Sequence, residues 1–189
     1  MAVNNRAKEQ LVNALVQLCL TRSFEKITVQ EISQAADVNR QNFYYHFKDK
    51  QALLRYAYYQ CGLNYLMSPG VTIENWEEAV LKMLKEMQHF HHFYLNTVQA
   101  DSEVLSKEFI GLAKSLFIRL FEDVDQEGVL SNTDKDFYAR FLAYGCGGIL
   151  TDWLLADAKE QPIAIAAQLF RFAKDIEFFA YRLYEQDQS

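Results

Sequence analysis

Apolar residues recur at the spacing of a helix face along most of the chain. The first such stripe lies in residues 6–21, at Leu11, Val12, Leu15, Val16, Leu18 and Cys19. This is the i, i+3, i+4, i+7 pattern of an amphipathic helix. Proline and glycine, which often interrupt helices, number only 2 and 7 in 189 residues. The pattern therefore predicts an all-α protein.

Capping and breaking residues divide the chain into about nine helices. We predict them at 6–21, 28–36, 39–47, 49–67, 74–100 with a break near 89–92, 102–124, 132–159 and 162–184. Thr28 and Glu31 form a capping box, Ser68-Pro69-Gly70 is a stop, and Pro162 suits a first helical turn. The fold expected is an N-terminal three-helix domain, residues 1–48, followed by a larger helical domain, residues 49–189.

The two short helices in residues 28–47 are joined by a tight turn and braced by the first helix, which is the layout of a helix-turn-helix. Asp37 tolerates the left-handed backbone that such a turn needs, and Asn39 is a good N-cap for the second helix. The stretch VNRQNFYYHFKDK, residues 38–50, then carries its aromatic residues on that second helix.

The aromatic side chains of this stretch divide between two helix faces. Phe43 and Phe47 are i, i+4 and share a face, which we assign to the core. Arg40, with neighbouring amides and tyrosines, then points outward, and such groups can bind base edges and phosphates of DNA. The alternative is a solvated helix that happens to carry two tyrosines. The candidate DNA-binding residues are Thr28, Asn39, Arg40, Gln41, Asn42, Tyr44, Tyr45, His46, Lys48 and Lys50.

Charge separates the two parts of the chain. The whole chain carries a net charge of −6, which argues against a uniformly basic nucleic-acid binder. Residues 1–50, however, hold seven Lys and Arg against five Asp and Glu, so the remainder carries −8. A mildly basic head on an acidic body can present only its head to phosphate.

The run ITVQEISQAADVNRQNFYYHFKDKQALL, residues 27–54, resembles the N-terminal domain of TetR-type bacterial transcriptional regulators. Two positions depart from the family pattern, since Asp37 stands where glycine is common and Asn39 where serine or threonine is. The resemblance implies an all-α homodimer whose N-terminal domain binds double-stranded operator DNA. It also implies that the body holds a small-molecule effector and the dimer interface. FLAYGCGGILTDWLLAD, residues 141–157, resembles more loosely a branch that includes regulators of dihydroxyacetone-kinase operons.

Gly145 and Gly148 lie i, i+3 within a predicted helix, where glycine lowers helix stability. Close approach of a second subunit explains them, in a four-helix bundle formed by the last two helices of each subunit. A helix buried within one chain is the alternative. The predicted dimer interface is Phe141, Gly145, Gly148, Leu169, Phe172, Ile176 and Phe179.

Aromatic residues in the middle of the chain suit an effector pocket, although ordinary core packing also explains each of them. The predicted pocket is Tyr59, Trp76, Phe90, His91, Phe93, Phe117, Phe121 and Trp153. His89 and His92 are i, i+3, but no cysteine or carboxylate joins them at a suitable spacing. We therefore expect a surface histidine cluster and no metal.

Enzyme motifs are missing from the sequence: it has no glycine-rich phosphate loop, nucleophile elbow or His-Glu metal motif. We expect no catalytic residue and no cofactor. Three widely spaced cysteines suggest reduced core residues, and the absence of a signal peptide or membrane-spanning run suggests the cytoplasm. The alternative to an effector-controlled regulator is an adaptor of the same fold that acts through a protein co-regulator.

Overall fold

The computed structural model describes residues 2–68, 70–72 and 74–187, which form nine α-helices and no strand. The helices are α1 Ala2–Cys19, α2 Val29–Ala35, α3 Arg40–His46, α4 Lys50–Gln60, α5 Trp76–His89, α6 His91–Ala100, α7 Ser102–Val124, α8 Asn132–Leu155 and α9 Pro162–Asp187. Short 3₁₀ turns occupy Phe24–Lys26 and Leu63–Met67. The all-α prediction is confirmed. Among the helices described, none has the length and hydropathy that a membrane span requires.

The helix predicted over residues 49–67 is shorter than expected, because α4 ends at Gln60. A Cβ atom added at Gly62 would lie 3.2 Å from both Met87 Cγ and Tyr94 Oη. Met87 of α5 and Tyr94 of α6 therefore lie close to the backbone at Gly62, and a side chain there would make tight contacts with both. The chain turns at this point and continues as a 3₁₀ turn. By contrast, the break expected near residues 89–92 is present, between α5 and α6.

The first three helices enclose the core of the N-terminal head. Leu15 of α1, Ile32 of α2 and Phe43 of α3 are all fully buried and belong to one hydrophobic cluster. The free thiols of Cys19 and Cys61 are buried in the same cluster, as expected for core cysteines. The apolar stripes read from the sequence therefore face each other in the folded head.

The body is built around α7 and α8, which pack along each other, with α6 against α8 and α5 against α9. At Gly147 of α8 an added Cβ would lie 3.1 Å from Ile110 of α7, so these two helices approach closely there. The helix α4 packs against both α1 and α7. The predicted boundary between residues 48 and 49 thus falls just before a helix that both parts share.

The turn between α2 and α3 is held by two backbone bonds. Val38 N–H donates to Ser33 O at 3.0 Å and Asp37 N–H donates to Gln34 O at 3.2 Å, which together form a Schellman motif. This motif requires a left-handed residue, and Asp37 has φ 54°. The aspartate therefore fills the position that glycine would fill at lower conformational cost.

We expect Asp37→Val to lower the free energy of unfolding by about 1–2 kcal/mol, because a β-branched residue is strained at positive φ. Asp37→Gly should stay within about 0.5 kcal/mol of the parent, since its freedom in the unfolded chain offsets the relieved strain. Urea unfolding followed by circular dichroism measures both. Gln34→Val, at an exposed and ordinary helical position of α2, is the control. Equal stability of Asp37→Val and Gln34→Val would contradict the account.

Candidate nucleic-acid interface

The helix α3 is fixed by its cap and by two phenylalanines. The Asn39 side-chain oxygen accepts from Asn42 N–H at 2.6 Å, which starts the helix. Phe43 is fully buried and Phe47 nearly so, with their rings 6.0 Å apart. Phe47 also packs on Tyr56 of α4, at 5.4 Å between ring centroids. One face of α3 is therefore committed to the core, as predicted.

The opposite face of α3 is open to solvent. Tyr45 is 77% exposed and Tyr44 is 46% exposed, and Arg40 and Gln41 are exposed beside them. The Arg40 guanidinium lies 5.5 Å from the centre of the Tyr44 ring and donates to the Tyr44 hydroxyl at 3.3 Å. Stacking on the tyrosine restricts the arginine side chain, which lowers the entropy lost when its fork binds a partner.

His46 lies at the edge of this face and is half-buried, with its ring 4.9 Å from that of Tyr45. Burial, together with the positive charge of Lys8, lowers the pKa of the imidazole from its usual 6.5. The neutral ring is therefore favoured at neutral pH. The position of Lys8 beside α3 was not predicted, since nothing in the helical pattern of α1 indicates it.

Thr28 has a capping role that uses most of its polar groups. Glu31 N–H donates to the Thr28 hydroxyl oxygen at 3.3 Å, and Thr28 N–H donates to the Glu31 carboxylate at 2.9 Å. Arg22 also pairs with this carboxylate. Hydrogen bonds from Arg22 first, and from Thr28, lower the pKa of Glu31 to about 2. The capping box is as predicted, and it uses both the hydroxyl and the amide of Thr28, which was a candidate DNA-binding residue.

The expectation for Lys50 needs correction. Its ammonium group donates to Phe24 O and Ile27 O, each at 2.7 Å, and to Glu25 O at 3.2 Å. The same nitrogen lies 4.4 Å from the centre of the Phe24 ring. A lysine has three donors, and all three are used here on the 3₁₀ turn Phe24–Lys26 and the residue after it. Lys50 therefore braces the head from within, whereas its exposed neighbour Lys48 is open to solvent.

Five side chains thus form one outward surface, which we call the α3 face. They are Arg40, Gln41, Tyr44, Tyr45 and Lys48. Asn39, Asn42 and His46 lie at its margins. The surface offers a guanidinium, an amide, two phenols and an ammonium, which match the acceptors and donors of base edges and phosphates.

The residues predicted for an effector pocket lie in several separate packing environments. Phe93 stacks near Tyr58, Trp76 near Phe170 and Phe121 near Tyr138. Trp153 donates through Nε1 to Glu160 O at 2.9 Å. The remaining members are Tyr59, which is partly exposed, and Phe90, His91 and Phe117, which are half-buried. None of the eight lines either of the two concavities described below.

One concavity of about 370 Å³ lies between the end of α1 and α6. Ser23 and Glu25 line it from the head, and His92, Asn96 and Gln99 line it from the body. A second, of about 390 Å³, lies on α8 and is lined by Phe137, Arg140, Phe141 and Tyr144. Within the described part of the chain, no group of three or more His, Cys, Asp and Glu side chains is arranged to hold a metal.

The predicted dimer interface lies on an exposed stripe of α8. Phe141 is 68% exposed, and Cβ atoms added at Gly145 and Gly148 would meet nothing within 4 Å. The close packing of α8 inside the chain occurs at Gly147 instead. Phe172 is exposed on α9 and Leu169 is half-buried. The side chains of Ile176 and Phe179 lie outside the described residues. This face of α8 is therefore exposed within the single chain, in contrast to the alternative of a helix buried within one chain.

Two family models match the chain. Residues 11–57 match the model described as bacterial regulatory proteins, tetR family. Residues 74–175 match the model described as transcriptional regulator C-terminal region, which is more than half of the chain. The first match contains the complete α2–turn–α3 unit, and the second contains the body helices α5 to α8 and part of α9.

Individual proteins are similar over most of the chain. YxbF, an uncharacterized HTH-type transcriptional regulator of Bacillus subtilis (strain 168), is 25% identical over 190 residues, covering 92% of this chain. The match covers 46% of YxbF, so the chain spans about half the length of this relative.

Solved structures share the fold. The dihydroxyacetone kinase operon activator DhaS aligns with TM-score 0.69 and 18% identity, over 88% of this chain and 93% of its own. Thermus thermophilus FadR, a TetR family repressor solved in complex with lauroyl-CoA, aligns with TM-score 0.59 and 19% identity, over 87% and 91%. At these identities the likeness concerns the fold alone.

Removing the Lys50 ammonium should destabilise the head. We expect Lys50→Met to lower the free energy of unfolding by about 2 kcal/mol, because three carbonyl oxygens lose a charged donor. Lys48→Met, an exposed change of the same kind two residues away, should stay within about 0.5 kcal/mol. Urea unfolding of the full chain measures the difference. If the two variants were equally stable, Lys50 would not brace the turn.

Proposed function

The chain belongs to the TetR family of bacterial transcriptional regulators, and from that premise we propose that it binds operator DNA as a dimer through the α3 face. The observation that carries this proposal is the division of α3, with phenylalanines in the core and a guanidinium, amide and phenols outside. We also propose that an effector bound by the helical body sets the affinity for DNA.

The α3 face has the chemistry for reading bases in a major groove. Arg40 can donate two parallel bonds to guanine O6 and N7, and Gln41 can pair with adenine N6 and N7. Tyr45 is the most exposed large side chain of the helix and can donate to a phosphate oxygen. Lys48 supplies a positive charge close to the backbone. The arginine is already aligned on Tyr44, which supports a role in base recognition.

Dimerisation would place two α3 helices on one DNA duplex. Successive major grooves on the same side of B-DNA are about 34–36 Å apart, so a symmetric dimer reads a roughly palindromic site. The exposed stripe of α8 supports this arrangement, because Phe141 is 68% exposed and Cβ atoms added at Gly145 and Gly148 would meet nothing within 4 Å, which permits close approach. An interface of this kind buries apolar surface that would otherwise face water.

Effector control is proposed from the relatives and from the shape of the body. FadR was solved with lauroyl-CoA, which shows that one protein of this fold holds a small molecule. In this chain, the concavity of about 370 Å³ between α1 and α6 is within the volume range of small-molecule sites. Such a dimer would have two arrangements of its heads, of which one fits the DNA better. An effector then changes the affinity for DNA by the difference between its own binding free energies to these two arrangements.

The DNA proposal is tested by selecting fragments from random DNA with the full chain, then measuring binding by fluorescence anisotropy at several salt concentrations. Arg40→Ala should weaken binding to the selected site by about 1–3 kcal/mol and relax preference at one base pair of each half-site. Arg171→Ala, which removes the same charge from an exposed position on α9, should leave binding unchanged. Recovery of no preferred sequence, or equal losses in both variants, would refute the assignment of the α3 face.

The dimer proposal is tested by placing a charge in the predicted interface. Phe141→Glu should weaken self-association by roughly tenfold or more, because a carboxylate would be buried against a symmetry-related copy. Val129→Glu makes the same chemical change at a residue that is 71% exposed in the loop before α8, and serves as the control. Sedimentation equilibrium measures both. A monomeric parent protein, or a Phe141→Glu dimer as strong as the control, would exclude this interface.

A further inference from the structure

Asn96, in the middle of α6, connects the body to the head through all the polar atoms of its side chain. Its oxygen accepts from Phe24 N–H at 2.8 Å. Its amide nitrogen donates to Cys19 O and to Arg22 O, each at 2.7 Å. An asparagine side chain has one oxygen acceptor and two N–H donors, so each of its groups has a partner in the head. We call this set of bonds the Asn96 clasp.

The clasp satisfies backbone groups that helices leave open. Cys19 is the last residue of α1, and the carbonyls of a last turn have no partner within their own helix. Arg22 and Phe24 lie in the connection that follows. Removing the asparagine would therefore free the part-buried Cys19 carbonyl and Phe24 N–H and the exposed Arg22 carbonyl, which costs free energy unless water replaces the lost bonds.

The connection held by the clasp leads directly to the helix-turn-helix. Phe24 opens the 3₁₀ turn Phe24–Lys26, and two residues after that turn Thr28 caps α2. Lys50, at the start of α4, holds the carbonyls of this same turn. Asn96 of α6 and Lys50 of α4 thus both donate to or accept from the backbone of one short connection. The turn cannot follow one helix without breaking bonds to the other.

The hydrogen bonds of the Asn96 clasp fix the orientation of the head on the body, which apolar packing alone would not fix. Contacts between hydrophobic surfaces are non-directional and tolerate small sliding and rotation. Hydrogen bonds weaken steeply when their angles change, so three of them on one rigid amide define the position of the head on α6. The helix α6 also lies close to α1 and to the 3₁₀ turn.

We propose that Asn96 is a positioning residue for DNA recognition, which fixes the orientation of each head on its body and so selects the half-site spacing that the dimer accepts. This inference rests on the proposed function. In a symmetric dimer each head is carried by its own body, so a head held at one angle presents α3 at one separation and one rotation. Moving one half-site by a single base pair rotates it by about a tenth of a turn of DNA.

The test uses the selected operator and a series in which the half-site centres are moved by one or two base pairs. The full chain should show a sharp optimum in its affinity as spacing changes. Asn96→Ala should flatten this profile by roughly threefold or more per base pair, since its heads are free to reorient once three bonds are lost. Its affinity for the best site should fall less than roughly tenfold, because the α3 face is intact.

Two further variants separate orientation from simple destabilisation. Asn96→Asp keeps an acceptor for Phe24 N–H but turns a carboxylate toward two carbonyl oxygens, so it should flatten the profile at least as much as alanine does. Gln17→Ala changes an exposed amide on α1 that lines neither concavity and lies outside the α3 face, and it should keep the sharp profile. Thermal unfolding of all three shows which are folded at the temperature of the binding assay.

Hydrogen exchange of the free proteins gives a reading that does not need DNA. The backbone amide of Phe24 should exchange faster in Asn96→Ala, while amides of α8 keep their protection. A parent protein that selects no DNA would overturn the proposed function. A sharp parent profile that stays equally sharp in Asn96→Ala would overturn the positioning role while leaving the function in place. Failure of both Asn96 variants to fold would also overturn it, since the residue would then be required for folding.

Discussion

Burial of Phe43 and Phe47 is the constraint on which the rest of the head depends. The helix α3 has only seven residues, and Phe43 and the C-capping Phe47 take its buried face. The neighbouring positions then lie on the exposed side or, as at Asn42 and His46, half-buried at its margin. Because the outward positions hold Arg40, Gln41, Tyr44 and Tyr45, packing of the core is also what displays the α3 face. The two rings therefore fix both the core of the head and the position of the side chains that we propose contact DNA.

The α3 face needs a fixed orientation of the head if it is to contact DNA as proposed. Hydrogen bonds from polar side chains fix the connection that leads to it. Lys50 binds two carbonyls of the 3₁₀ turn before α2 and the carbonyl of Ile27, and Asn96 binds the same connection from the body. Both act on backbone groups of the connection between α1 and α2. The acidic body beneath them contributes α8, whose exposed apolar stripe supports the proposed pairing of two chains. Apolar packing thus holds the core of the head, side-chain hydrogen bonds hold the connection between head and body, and exposed apolar residues of α8 form the proposed dimer interface.

Local chemistry explains how much of this could be predicted from sequence. Three local features could be predicted, because each depends on residues within a few positions of the chain. They are the capping box at Thr28, the left-handed Asp37 and the Asn39 cap, and the structure contains all three. The backbone at Gly62, just after the end of α4, lies against Met87 and Tyr94 from distant helices, and the apolar pattern carries no sign of these contacts. Lys50 appeared free for phosphate for the same reason, because its three carbonyl partners lie 23 to 26 residues away. A pocket in the body could not be predicted from its aromatic residues, because packed cores and ligand pockets are lined by the same residue types.

Hydroxyl-radical footprinting of the full chain on its selected DNA tests the central claim most directly, because it maps both heads at once without changing any residue. The account predicts two protected segments related by a dyad, on one face of the duplex, with centres about one helical turn or 34–36 Å apart. A single protected segment, or protection spread evenly along the DNA, would contradict a dimer that reads two half-sites through α3.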